Sequence, residues 1–332
     1  MISENYKYIQ DKLKDNKFVI LDGANGSELE KRGAKMDRAG WCGPASLESP
    51  EILTQIHKDY IEAGADIITT NTFSSARHVL EYSNFEDQTV AINEKAMECA
   101  ISARNHFPDK NVAIAGSISL SLVVDFVEGT NDPAEFRDYM KTDQRSIPKY
   151  TEESIREGSS NYNKILKNFN EQISIFKKHN IDLIILEMII NPAICKPAID
   201  AALASGMPVW LGLSCGDESE DGDLLAFENS KMKFSESLKT IDENFDAVLL
   251  MHSETKNTTK GLQEIKQKWN GHLGAYPHKG DFIRPNWQFD KTYTPEKYSN
   301  DMKIWGDQGV RIIGSCCGMG PEYTAALKKN FF

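Results

Sequence analysis

The chain has 332 residues, 40% hydrophobic and 26% charged, the balance of an ordinary globular domain rather than of a disordered or fibrous chain. Its formal net charge is −11 and its lysines are scattered, which argues against a nucleic-acid partner. No apolar run approaches the length of a membrane span, and the opening MISENYKYIQDKLKDN is polar with no signal-peptide core, so a cytoplasmic protein is expected.

Eight short, apolar, often β-branched segments are expected as strands: residues 18–21, 67–70, 112–115, 183–186, 209–213, 247–251, 273–276 and 310–313. Such runs suit strands buried on both faces. Helical spacing fills the intervals. Ile52, Leu53, Ile56, Tyr60 and Ile61 form one stripe, and Ile165, Phe169, Ile173 and Phe176 form another, both on the 3.6-residue period. Ser49-Pro50-Glu51 reads as a helix start, while Gly64 and Asn180 stand where helices should stop. Strict alternation of eight strands with helices predicts an α/β fold, a single-domain (β/α)8 TIM barrel over residues 1–332. A doubly wound sheet is the alternative. Its phosphate fingerprint is missing, since the first strand is followed by Asp22-Gly23-Ala24-Asn25-Gly26-Ser27. A charged stretch of about 125–163, with Gly129, Pro133, Pro148 and Gly158, is long for a connection after strand three. It reads as a surface excursion or as a lid over the barrel mouth.

In a barrel, reactive groups come from the C-terminal ends of strands and the loops beyond. Those positions here are Asp22, Asn71-Thr72-Phe73, Glu187, Ser214-Cys215, His252-Ser253-Glu254 and Gly314-Ser315-Cys316-Cys317-Gly318. A disulfide scaffold is not expected from the six cysteines of a long, cytoplasmic chain. Two adjacent thiols on a glycine-flanked turn can reach one metal ion, and thiolate softness selects zinc. The competing reading of Cys316-Cys317 is a pair of small core residues. A zinc site needs a third protein ligand, for which His252 and Cys215 are the candidates.

These segments together resemble the homocysteine S-methyltransferase family over nearly the whole chain. The resemblance is carried by Leu21-Asp22-Gly23-Ala24-Asn25-Gly26-Ser27-Glu28-Leu29, by Ala63-Gly64-Ala65-Asp66-Ile67-Ile68-Thr69-Thr70-Asn71-Thr72-Phe73, and by Gly314-Ser315-Cys316-Cys317-Gly318. It implies a barrel, a zinc ion, and methyl transfer from an onium donor to homocysteine, giving methionine. Relatives supply a third cysteine at the end of strand six, where this chain has His252. Three arrangements follow: zinc on His252, Cys316 and Cys317; Cys215 as the third ligand instead; or a site that has lost its metal.

The resemblance also implies that Asp22 and Glu187 accept hydrogen bonds from the homocysteine ammonium. Asn71 and Thr72 orient substrate or order their loop. Trp41, Phe73 and Tyr276 are candidates to face a cationic donor. Betaine-using relatives carry tyrosines where this chain has Ser74 and Met188, so S-methylmethionine or dimethylsulfoniopropionate is favoured over glycine betaine, with Met188 able to meet a sulfonium methyl. Trp287, Phe289 and Tyr293 read as packing or an oligomer contact, and self-association is left open. The alternatives are methyl transfer to another thiol or selenol, and a catalytically inactive small-molecule binding barrel.

Overall fold

The computed structural model describes residues 2–332 apart from 38–39, 82, 84, 121–150, 228 and 284–285. Eight parallel strands make one sheet: β1 (Val19–Ile20), β2 (Ile67–Thr69), β3 (Ala113–Ile118), β4 (Leu183–Ile189), β5 (Val209–Leu213), β6 (Ala247–Glu254), β7 (His272–His278) and β8 (Val310–Ile313). They pair in the order β1-β8-β7-β6-β5-β4-β3-β2. The two ends of that row meet: Leu21 bridges Ile67 in parallel, and Asp22 N–H donates to the Ile67 carbonyl at 2.9 Å. The sheet is thus a closed (β/α)8 barrel, as the alternation predicts.

Each strand is buried on both faces, which is why the apolar runs are continuous. Ile68, Ile114, Ile184, Leu211, Val248 and Ile313 face the helical layer, while Ile67, Ala113, Ala115, Ile185, Trp210, Leu249 and Ile312 fill the interior. The helices follow the predicted stripes. Pro50–Ala63 buries Leu53, Ile56, Tyr60 and Ile61, and ends on Gly64 at φ 110°. Ser160–Lys178 buries Ile165, Phe169, Ile173 and Phe176, and Asn180 follows it at φ 54°. Among the described residues no helix is long and apolar enough to cross a membrane.

The N-terminal helix Glu4–Lys14 closes one end of the barrel. Its Tyr6, Ile9 and Leu13 belong to the interior cluster, and Trp210 Nε1 donates to the Tyr6 hydroxyl at 3.0 Å. Lys12 reaches Asp66 at 2.6 Å, and Asp66 also accepts from Ile20 N–H at 2.8 Å. The strand ends that carry Asp22, Glu187 and His252 lie at the opposite, C-terminal mouth.

The structure departs from the expected elements at that mouth. β3, β4, β6 and β7 run on to Ile118, Ile189, Glu254 and His278, past the points where the apolar pattern stops. Backbone pairing continues there although the side chains turn polar. A three-stranded antiparallel sheet (Cys215–Glu218, Leu224–Ala226, Asn229–Lys233) follows β5, and a hairpin (Asp281–Ile283 with Asn286–Gln288) follows β7. Most of the expected excursion over about 125–163 lies outside the described residues. Its last part is turns leading into the Ser160–Lys178 helix, capped by Ser159.

Candidate metal centre and substrate pocket

The cysteine pair sits on the turn after β8. Cys316 N–H donates to the Pro277 carbonyl at 2.9 Å, and Lys279 N–H donates to the Cys317 carbonyl at 3.1 Å, so the turn is laced to the end of β7. Gly318 has φ 83°, and a Cβ there would collide with the Lys279 carbonyl; only glycine fits. His252 stands at the end of β6, two strands away across β7, with φ 41°, a conformation an L side chain rarely holds without function or support. His252 Nδ1 lies 3.4 Å from Cys316 Sγ. The donor atoms of His252, Cys316 and Cys317 all fall within 4.8 Å of one another.

The alternative third ligand, Cys215, is not brought to this group. It is buried in the outer core between strand and helix, and its sulfur lies 3.2 Å from where a Cβ on Gly261 would stand.

The electrostatics suit a soft divalent cation. The Cys316 sulfur alongside, followed by burial, holds the Cys317 thiol well above its ordinary value, because two adjacent thiolates would repel. Burial and the neighbouring His278 push the His252 imidazole well below its usual value, leaving it neutral, the form that ligates. A cation that neutralises the sulfurs releases their protons. Two cysteine sulfurs and one imidazole with a further position open are a zinc donor set.

Below this turn lie two buried carboxyl groups. Glu187, on β4, is raised to about 7 by burial and accepts a short hydrogen bond from Ser117 Oγ on β3. Asp22 is raised well above its ordinary value, by burial first and in part by Glu187. Both its oxygens are engaged by β2: Thr69 N–H donates to Oδ2 at 2.7 Å and Thr69 Oγ1 to Oδ1 at 2.9 Å. Tyr276 faces the interior close to Gly212, its hydroxyl buried without a hydrogen-bond partner. Burial, then Glu187, Cys316 and Asp22, keep that hydroxyl protonated.

Other predicted residues are tied into the scaffold. Asn71 Nδ2 donates to the Cys42 carbonyl at 2.8 Å and to Ser46 Oγ at 2.9 Å. Thr72 Oγ1 donates to the Ser117 carbonyl at 2.8 Å. Phe73 and Met188 pack with Tyr276 and Cys316 against the interior cluster. Met188 has φ 53° and its N–H meets Met251 Sδ at 3.1 Å. Trp41, also at positive φ (44°), lies flat against Gly26, where any Cβ would strike its ring, and packs with the outer core. Ser74 Oγ donates to the Gly40 carbonyl at 2.6 Å, bracing the same loop.

Three residues near the site come from the two insertions or the end of β7. Phe227 stacks edge-on to His252 at 5.0 Å between centroids, His278 lies at 4.4 Å and Trp287 at 6.0 Å. Trp287 thus stands beside both His252 and His278. His278 stands two residues past a predicted strand end, which was its one sequence signal; the hairpin residues had none.

Comparison with known proteins agrees with this geometry. The family model described as homocysteine S-methyltransferase matches residues 19–331. The homocysteine S-methyltransferase 2 of Arabidopsis thaliana is 24% identical, covering 99% of this chain and 98% of its own. The betaine–homocysteine S-methyltransferase 1 of Pongo abelii is 25% identical over 98% of this chain and 75% of its own. The selenocysteine methyltransferase of Astragalus bisulcatus is 22% identical over 94% and 91%. The metallated crystal structure of the homocysteine methyltransferase MmuM from Escherichia coli superposes with a TM-score of 0.70 at 20% identity, over 97% of this chain and 99% of that one. A family match over almost the full length, a shared barrel and a converging thiol pair lead to one conclusion: this chain belongs to the homocysteine S-methyltransferase family.

Proposed function

We propose that this protein transfers a methyl group from a small sulfonium donor to the sulfur of homocysteine, forming methionine, at a zinc ion held by His252, Cys316 and Cys317. The observation that carries the reading is the convergence of those three donors within 4.8 Å at the same mouth as two buried carboxyl groups whose charges act on each other. When bound, zinc supplies Lewis acidity that lowers the pKa of a coordinated thiol. Glu187 and Asp22 take the substrate ammonium, whose positive charge replaces the proton that burial otherwise keeps on the acid. The acceptor sulfur gives its proton to solvent and bonds to the methyl carbon. That carbon's bond to the donor sulfur breaks, and the electron pair leaves with the donor. The barrel's part is to hold the two partners in line at contact distance.

Donor choice follows from the pocket wall. Met188 belongs to the interior cluster and Phe73 packs against it, so a polarizable sulfur and an aromatic ring are the groups assigned to a sulfonium methyl. Ser74 is buried and committed to the Gly40 carbonyl, so no aromatic hydroxyl stands there for a betaine carboxylate. The test is methionine formation by zinc-loaded protein given homocysteine and, in turn, S-methylmethionine, dimethylsulfoniopropionate and glycine betaine. Turnover with either sulfonium exceeding that with betaine is expected. Betaine as the best donor would overturn the donor assignment, and no methionine with any donor would overturn the reaction.

A further inference from the structure

His278 has no role in the scheme above, yet its placement is unusual. It ends β7, between the two backbone hydrogen bonds, Cys316 N–H to Pro277 O and Lys279 N–H to Cys317 O, that lace this strand to the cysteine turn. The side chain is 6% exposed. Its Nε2 lies 3.3 Å from Glu254 Oε1, and Glu254 is itself held by Lys279 at 3.0 Å. Its Nδ1 is buried with no hydrogen-bond partner. The rings of His252, Phe227 and Trp287 surround it, with centroids at 4.4, 6.0 and 5.6 Å.

In the neutral ring, the form a metal ion binds, a carboxylate that accepts from Nε2–H leaves Nδ1 as a bare lone pair. Burying such an acceptor unpaired costs about 1–3 kcal/mol. Carboxylate on one nitrogen and an unused lone pair on the other is the arrangement by which proteins orient metal-ligating histidines and raise their basicity. Here the bare nitrogen belongs to a ring in contact with His252, whose own nitrogen already touches Cys316.

We propose that His278, oriented by Glu254, is a further protein ligand of the same metal ion, making the resting centre a two-cysteine, two-histidine site. The proposal rests on the zinc reading above. His278 is not among the three donors within 4.8 Å of one another, so its ring closes on the ion by a side-chain movement. A tetrahedral ion has four positions, so the acceptor sulfur must then compete with His278 for one of them. His278 in this way sets how tightly the acceptor binds.

The test is X-ray absorption at the zinc edge on zinc-loaded wild-type, His278→Ala and His278→Asn proteins without substrate. Two sulfur neighbours and outer-shell scattering from two imidazoles are expected in the wild type, falling to one imidazole in both variants. Chelator competition should show zinc held roughly 10–100-fold more weakly in the variants, and Glu254→Gln should lose part of that affinity. Wild-type protein with two sulfurs, one imidazole and a light oxygen ligand, unchanged in the variants, would overturn the role of His278 and leave the zinc reading intact. Zinc bound without sulfur neighbours, or not bound at all, would overturn both. The wild-type spectrum decides even if a variant fails to fold.

Discussion

Glu187 is a buried carboxyl at the barrel mouth, bonded to Ser117 Oγ. Burial raises its carboxyl from 4.5 to about 7. For an acid shifted upward, the folded state holds the proton over a pH range in which the unfolded chain has lost it. The resulting stability is fully present below about 4.5 and is lost as pH rises through about 7. In the ligand-free protein that loss amounts to about 3 kcal/mol across the window, at roughly 1.4 kcal/mol per unit. Glu187→Gln should flatten it, read as urea midpoints from pH 4.5 to 8. Binding of an amine-bearing ligand such as methionine should show the opposite trend. Its affinity should rise with pH until Glu187 is ionised near 7, whereas the Gln variant binds weakly at every pH. Affinity independent of pH in the wild type would remove Glu187 from the ammonium site. Among neighbouring residues, Asn71 and Thr72 are both hydrogen-bonded within the scaffold. Their side chains bond to Cys42, Ser46 and Ser117.

At the level of elements, the mouth is built from strand ends held in uncommon backbone conformations. His252 and Met188 sit at positive φ, beside register shifts at the ends of β6 and β4. The cysteine turn depends on Gly318, whose φ of 83° and contact with Lys279 O exclude a side chain. Gly318→Ala should displace Cys316 and Cys317 from the end of β7. Zinc content by atomic absorption should fall well below one per chain while far-ultraviolet circular dichroism stays that of the wild type; full zinc occupancy would show that the turn tolerates the change. The eight strands were legible in the sequence because each is apolar on both faces. Leu183, Ile184, Ile185 and Leu186 need no tertiary knowledge to read as a buried strand. Asp22, Glu187, His252 and the cysteine pair were legible because polar groups directly after such runs fall at a barrel mouth. Phe227 and Trp287 were not, because they ride on short hairpins placed by tertiary contacts. The Trp287 N–H, for example, is fixed at 2.9 Å by the Glu30 carboxylate, more than two hundred residues away in the chain.

For the whole molecule, the N-terminal helix matters as much as the mouth. It was hidden in the sequence because Tyr6, Ile9 and Leu13 are three apolar positions in an otherwise polar segment, and their partners lie inside the barrel. Lys12 and Asp66 form an ion pair whose side chains are 9% and 11% exposed, at the closed end of the barrel beside β1. Removing one partner of a buried pair leaves the other charge uncompensated. Lys12→Ala should therefore destabilise the protein by about 3 kcal/mol, measured by urea denaturation, with zinc content unchanged because the pair lies at the end opposite the metal centre. A loss below 0.5 kcal/mol would mean that the helix does not bolt the barrel shut. The proposed zinc site turns on His252, whose Nδ1 lies 3.4 Å from Cys316 Sγ. Its most direct test is zinc content and methionine formation in the wild type, His252→Cys and His252→Ala side by side. Zinc near one per chain is predicted for the wild type and the Cys variant, with both zinc and turnover falling at least tenfold in the Ala variant. Undiminished zinc and activity in His252→Ala would contradict it.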